Sequence, residues 1–249
     1  MPDRRLHRGP HPEDARLFAP DRWPGLQAAT SDLGWLLSHD YALNSALKLV
    51  GDRYALTERQ RIAVMRSSCS DQSLALRRAN QATPVQLRGQ PLHLDGYNVL
   101  TTLESALAGP PHSAILRGRD GCLRDMASMH GHYKRVLETG PALVLLGDTL
   151  ASLGVAAVQF YLDSPVSNSG RLKKMILQTA DQHGWPWTVD LVTDPDPILA
   201  CSPHIIATAD SVILDGTRNH AGQPSPRWFN LTAYLIAAHI PKACVVPMA

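Results

Sequence analysis

The rhythm of apolar and polar positions changes near residue 90, and that change divides the chain. From Leu26 to about Ala82, apolar residues recur at three- and four-residue spacing in DLGWLLSHDY, ALNSALKLVGDRY and LTERQRIAVMRSS. That is the period of helices with one buried face. Thr57 stands three residues before Gln60, the spacing of a capping box, and predicts a helix start. Gly51 predicts a helix end. Residues 26–82 therefore read as a small all-α domain. Residues 1–25 mix proline with charge, hold Phe18 and Trp23 as candidate anchors, and read as an extended lead-in. TPVQLRGQP places turn-forming residues over the following stretch, so 83–90 reads as a linker.

From Pro91 short apolar runs alternate with helical periods. PLHLD, SAILRG, VAAVQFYLD, WTVDLV, HIIATAD and ACVVPM predict strands, and SVILDG a further short one. NVLTTLESALAG, the stretch from about Leu123 to Glu138, PALVLLGDTLASLG, SGRLKKMILQTADQHG, DPILACS and WFNLTAYLIAAHI predict helices. This alternation predicts an α/β domain over 91–249, with a mostly parallel sheet flanked by helices on both faces.

Composition supports a folded chain and narrows its setting. Apolar residues make up 44% and charged residues 18%, enough to bury a core. No apolar run reaches the roughly 20 residues of a membrane span. The charged N-terminus has no signal-like apolar stretch, so a cytoplasmic location is expected. The four cysteines lack CxxC spacing and are read as reduced thiols, not zinc ligands. Residues 1–90 carry 13 Lys+Arg against 9 Asp+Glu, and residues 91–249 carry 11 against 13. A basic front half fits a nucleic-acid partner and an acidic back half fits a cation site, although solvated surface explains each equally simply.

Ligands of open parallel sheets bind beyond the carboxyl ends of the strands. Aspartates recur there: Asp95 ends PLHLD, Asp163 ends VQFYLD, Asp210 ends HIIATAD, Asp194 and Asp196 follow WTVDLV, and Asp215 ends SVILD. Any one of them is explained by helix capping. Together they would repel one another unless a cation sat among them, and oxygen ligands favour Mg²⁺ or Mn²⁺.

Leu94-Asp95-Gly96-Tyr97-Asn98-Val99 resembles the DGYN signature that opens NYN domains, a branch of the PIN-like nuclease superfamily. Phe160-Tyr161-Leu162-Asp163 and Ile205-Ile206-Ala207-Thr208-Ala209-Asp210-Ser211 are similar to that family's two later acidic strands, in the same order. The resemblance covers residues 91–215. It implies a PIN-like fold and a metal-dependent ribonuclease with Asp95, Asp163 and Asp210 at its centre, completed by Asp196 or Asp215. Asn98 would orient a ligand or the attacking water, and Gly96 would let the backbone pass close to metal or phosphate. RNA, including structured RNA such as tRNA, is the implied partner, and a homodimer is compatible with it. The whole chain also resembles a prokaryotic family that joins a helical N-terminal domain to this one.

One departure from the family pattern stands after Asp163, where 164–174 contains no carboxylate. Ser167, Asn168, Ser169 and Arg171 there read equally as a phosphate cradle or a helix cap. Arg117 and Arg119, after the second strand, are candidates for holding phosphates, and Asp120 or Asp125 for joining the metal shell. His130, on a predicted helix, has no partner in sequence and reads as a surface histidine. Arg59, Arg61, Arg66, Arg77 and Arg78 form a basic stretch able to grip RNA, or a solvated helix face. The alternative to an enzyme is an RNA-binding protein with an incomplete PIN-like site. A phosphatase is disfavoured because Gly96 and Tyr97, not a DxD motif, follow Asp95.

Overall fold

The structure is a computed structural model that describes residues 7–8, 12–110, 114–126, 133–216 and 225–249. The front region is helical: α1 (Asp14–Leu17), α2 (Trp23–Ser38), α3 (Leu43–Arg53), α4 (Glu58–Ser67) and α5 (Asp71–Asn80). The capping box forms as its spacing requires, with Thr57 and Gln60 satisfying each other's exposed amides. Gly51 does not end α3, which runs on to Arg53. Its missing side chain instead makes room for Arg61, whose guanidinium would lie 2.2 Å from a Cβ there.

The lead-in is not extended where it is described. Leu17 and Phe18 are buried in the helical core, and the Trp23 indole opens α2 while donating to the Phe18 carbonyl at 2.9 Å. Pro24 is tolerated in the first turn, where no amide is needed. Arg8 donates to the buried Glu104 at 2.6 Å.

The α/β region holds two sheets, not one. After β1 (Pro91–Asp95) come α6 (Gly96–Ala108), β2 (Ile115–Arg117), β3 (Leu123–Asp125), α7 (Thr139–Ser152), β4 (Ala157–Asp163), α8 (Ser169–His183), β5 (Trp187–Val192), α9 (Asp196–Ala200), β6 (Ile205–Ala207), α10 (Ser211–Leu214), α11 (Leu231–His239) and β7 (Val245–Pro247). The main sheet is parallel in the order β5-β4-β1-β6. The smaller has the order β3-β2-β7, with β2–β3 antiparallel and β2–β7 parallel. Three sequence expectations fail here. Leu123–Asp125 is a strand, and 133–138 is not helical; residues 127–132 of that predicted helix, with His130, lie outside the described residues. The SVIL run is helical because the Asp210 side chain caps it, accepting from the Val212 amide at 2.7 Å. Arg117, Arg119 and Asp120 belong to the small sheet and its turn, not to the edge of the main sheet.

Leu92, Leu94, Phe160, Leu162, Val189 and Ala207 face α6, α7, α8 and α11 in the largest core. The opposite face of the main sheet is covered over β1 and β6 by Leu199, Ile213, Leu214 and Trp228. On β5, Thr188 and Asp190 of that face stay exposed. The small sheet packs differently: Ala114, Leu116, Met126, Val246 and Met248 share a core with Leu26, Leu33, Ala63 and Val64 of the helical region. No helix among the described residues is long and apolar enough to cross a membrane.

Candidate functional site

The order β5-β4-β1-β6 decides where a site forms. The chain steps from β1 to β4 to β5 in one direction, then returns through α9 to β6 on the other side of β1. Helices α6 and α10 therefore leave neighbouring strands for different cores. Such a switch point leaves a crevice beyond the strand ends. Asp95 ends β1 and Asp210 follows β6, so they flank that crevice; Asp163 ends β4, and Asp194 and Asp196 follow β5. All four strands of the sheet thus deliver a carboxylate to one edge.

The DGYN segment is built from the strand end upward. Asp95 is 8% exposed and caps α6, accepting from the Asn98 amide at 3.4 Å. Its other oxygen accepts from the Thr208 hydroxyl at 2.7 Å, and that hydroxyl accepts from the Asp210 amide at 3.0 Å. The Asn98 side-chain carbonyl accepts from the Ala209 amide at 2.8 Å. Asn98 thus ties α6 to the loop carrying Asp210. Gly96 serves packing: a Cβ would lie 2.5 Å from Leu162 Cδ2 and 3.0 Å from the Tyr161 carbonyl. Tyr97 is buried, and its hydroxyl has no hydrogen-bond partner among the described residues. Burial, with the charge of Asp163, pushes it up to about 12.

The electrostatics single out this edge. Burial pushes Asp95 up to about 7, helped by Asp210 and Asp196 and opposed by the Thr208 hydrogen bond. Asp196 rises to about 6 through burial and the charges of Asp210, Asp194 and Asp163. Asp163 is raised by burial and by Asp194. No Lys or Arg among the described residues forms an ion pair with any of these groups. The donors are hard carboxylate oxygens, the chemistry of a divalent-cation site. Their spacing is looser than a formed site: among the described residues no three His, Cys, Asp or Glu side chains converge to hold one ion.

Several other candidates are used elsewhere. Asp215 is bound bidentately by buried Arg77, at 2.7 and 2.9 Å, and so is not part of the acidic edge. Asp120 is held by Arg77 at 2.5 Å and Arg124 at 2.6 Å. Asp125 accepts from Thr101 at 3.1 Å. Arg119 spans to Asp71 and the Cys69 carbonyl, and Arg59 to Asp14. Arg117 is exposed on β2. The 164–169 loop is no open cradle. Asn168, in left-handed backbone at φ 72°, donates to the Tyr133 carbonyl at 2.9 Å, and the Ser167 carbonyl accepts from the Tyr133 amide. The Ser169 hydroxyl turns back to Ser164 at 3.4 Å. Arg171 does line a depression of about 460 Å³ with Arg135 and Lys174.

Sequence reasoning passed over two groups. Thr208 is the residue that holds Asp95, and its signal was present in the Thr-Ala-Asp run that follows β6. The helical region also joins the site. A cleft of about 630 Å³ is lined by Tyr41 and Arg66 from the helices and by Asn98, Asp210 and Ser211 from the edge. Nothing in local sequence joins residues so far apart.

Fold and site together define an α/β protein with a carboxylate-lined sheet edge and a helical region built against it. The chain belongs to the family described as Domain of unknown function (DUF5616), whose model matches residues 84–232. Residues 25–80 match a second model, Protein of unknown function (DUF434). An uncharacterised protein of Methanocaldococcus jannaschii is 30% identical over 189 residues, 76% of this chain and 88% of that protein. No solved structure matches the chain.

Proposed function

We propose that the chain is a metal-dependent ribonuclease of PIN-like type, acting at the edge formed by Asp95, Asp163, Asp196 and Asp210. The observation that carries this reading is that four strands deliver carboxylates to one edge and no Lys or Arg among the described residues pairs with them, so burial and mutual repulsion raise Asp95 and Asp196. Isolated buried carboxylates are costly, and groups perturbed by burial in a crevice cluster at functional sites. Mg²⁺ or Mn²⁺ bound there supplies charge neutralisation and Lewis acidity toward a phosphodiester. Thr208 fixes one oxygen of Asp95, and Asn98 fixes the loop of Asp210. Arg171, Arg135 and Lys174 stand beyond β4 as phosphate partners.

The test is cleavage of single-stranded and structured RNA, tRNA included, with Mn²⁺ and with Mg²⁺. Wild type is expected to cleave, and Asp95→Asn to lose at least 100-fold, on the order of 3 kcal/mol of transition-state stabilisation. Absence of cleavage with either ion, or full activity of Asp95→Asn, overturns the reading. The loose spacing of the carboxylates favours a second reading, an RNA-binding protein with an incomplete site. RNA binding that ignores EDTA, without turnover, selects it.

A further inference from the structure

We propose that the cleft between the helical region and the acidic edge is a binding groove for single-stranded nucleic acid, with Tyr41 stacking a base and Arg66 holding a phosphate. For the reaction at its end it rests on the ribonuclease reading; for binding it stands alone.

The five arginines of α4 and α5 separate into two kinds. Arg59, Arg61 and Arg77 are committed to Asp14, Asp52 and the Asp120–Asp215 pair. Arg66 and Arg78 have no ion pair among the described residues, and Arg66 faces the cleft from the last turn of α4. Arg77 and Arg124 also line it, but their charge is already matched by carboxylates. Arg66 is therefore the cation there that can meet a phosphate.

Tyr41 supplies the second element. It lies in the turn between α2 and α3, is 53% exposed, and its ring packs on no other ring among the described residues. Leu43, 40% exposed, stands beside it. An exposed aromatic with an apolar neighbour and a cation lining the same cleft is the pattern that grips an unpaired strand, each stacked base being worth about 1–3 kcal/mol. The opposite wall is Asn98, Asp210 and Ser211, so a strand held by Tyr41 and Arg66 reaches the acidic edge directly. A cavity of about 630 Å³ admits unstacked nucleotides and has no room for a duplex.

The experiment is fluorescence anisotropy of a short mixed-sequence oligoribonucleotide with the full chain in EDTA, across a salt series. Wild type should bind the single strand and bind the same sequence as a duplex more weakly. Tyr41→Ala should weaken binding about 5- to 150-fold, and Tyr41→Phe should retain it. Arg66→Ala should weaken binding and lower the salt slope by about 0.7, the share of one phosphate on a single strand. Arg78→Ala should change neither. The inference is overturned if wild type binds no single strand, prefers duplex, or binds equally well without Tyr41 and Arg66. Manganese-dependent cleavage that needs Asp95, with KM unchanged in both variants, also overturns it and keeps the ribonuclease reading. The expected binding losses with no cleavage under any ion remove that reading and keep the groove. A deoxyribonucleotide probe bound equally well assigns recognition to base and phosphate, not the 2′-hydroxyl.

Discussion

The fold treats two groups of aspartates in opposite ways. Asp120 and Asp215 are held by Arg77 and Arg124, both nearly fully buried. Burial alone would raise Asp120, but Arg124 and Arg77 outweigh it and hold its carboxyl well below the usual range. Among the described residues no arginine pairs with Asp95, Asp163, Asp196 or Asp210, and Asp95 and Asp196 rise to about 7 and 6. The same side chain is thus a structural tie where the protein supplies the counter-charge and a candidate ligand where it does not. Residue type and strand-end position cannot separate the two roles; the presence of a built-in cation can.

The largest expected effect breaks the neutralised group. Arg77→Met should leave Asp215 unpaired and Asp120 with one cation, costing about 3–5 kcal/mol of stability in urea unfolding at pH 7. Asp120 has a lowered folded value, so the stability it confers is present above the ordinary carboxylate range and lost as pH falls. The cost of Arg77→Met should therefore shrink in acid. A cost below 1 kcal/mol at pH 7, or one independent of pH, would mean that the ion pairs do not stabilise the fold.

The acidic edge should behave with the opposite sign. Asp95 is raised in the folded state from 3.8 to about 7. Between those values the folded chain keeps a proton that the unfolded chain has released. Metal-free stability should fall as pH rises from about 4 to about 7, then level off, by an amount on the order of 4 kcal/mol. Asp95→Asn removes the titration, so it should flatten this slope and exceed wild type at pH 8 in EDTA. Mn²⁺ should raise the wild-type Tm more at pH 8 than at pH 5. Parallel pH profiles for wild type and Asp95→Asn would remove Asp95 as the source.

Much of this comparison was legible in sequence, but not its key term. Asp95, Asp163 and Asp210 were read from strand ends, and DGYN marked the first of them, because a strand's period and its terminal residue are local. The parallel order was implied by alternation. The split into two sheets was not, because three-residue strands such as Leu123–Asp125 show no period. Asp215 was misplaced with the ligands because Val212 and Ile213 look β-forming, while the Asp210 cap makes the run helical. Above all, Arg77 and Arg78 look alike in sequence. Arg77 is buried by partners 43 and 138 residues away, so its neutralising role exists only in the fold.

The smallest effect tests the hydroxyl that links the two loops of the acidic edge. Thr208 donates to Asp95 and accepts from the Asp210 amide, and it is buried. Thr208→Val keeps the shape and removes both hydrogen bonds. The orphaned Asp210 amide costs about 1 kcal/mol at any pH. The bond to Asp95 is stronger to the charged carboxylate, which is why it opposes the rise of that group. Its loss should add up to about 1 kcal/mol at pH 8 and little at pH 5. Denaturant unfolding of wild type and Thr208→Val at the two pH values in EDTA measures the difference. A larger cost at pH 8 shows Asp95 ionising against Thr208 with no arginine to assist, the condition that separates this edge from the Asp120 group. Equal costs would mean that Asp95 stays protonated across the range, and the contrast between the two groups would then rest on Asp163 and Asp196.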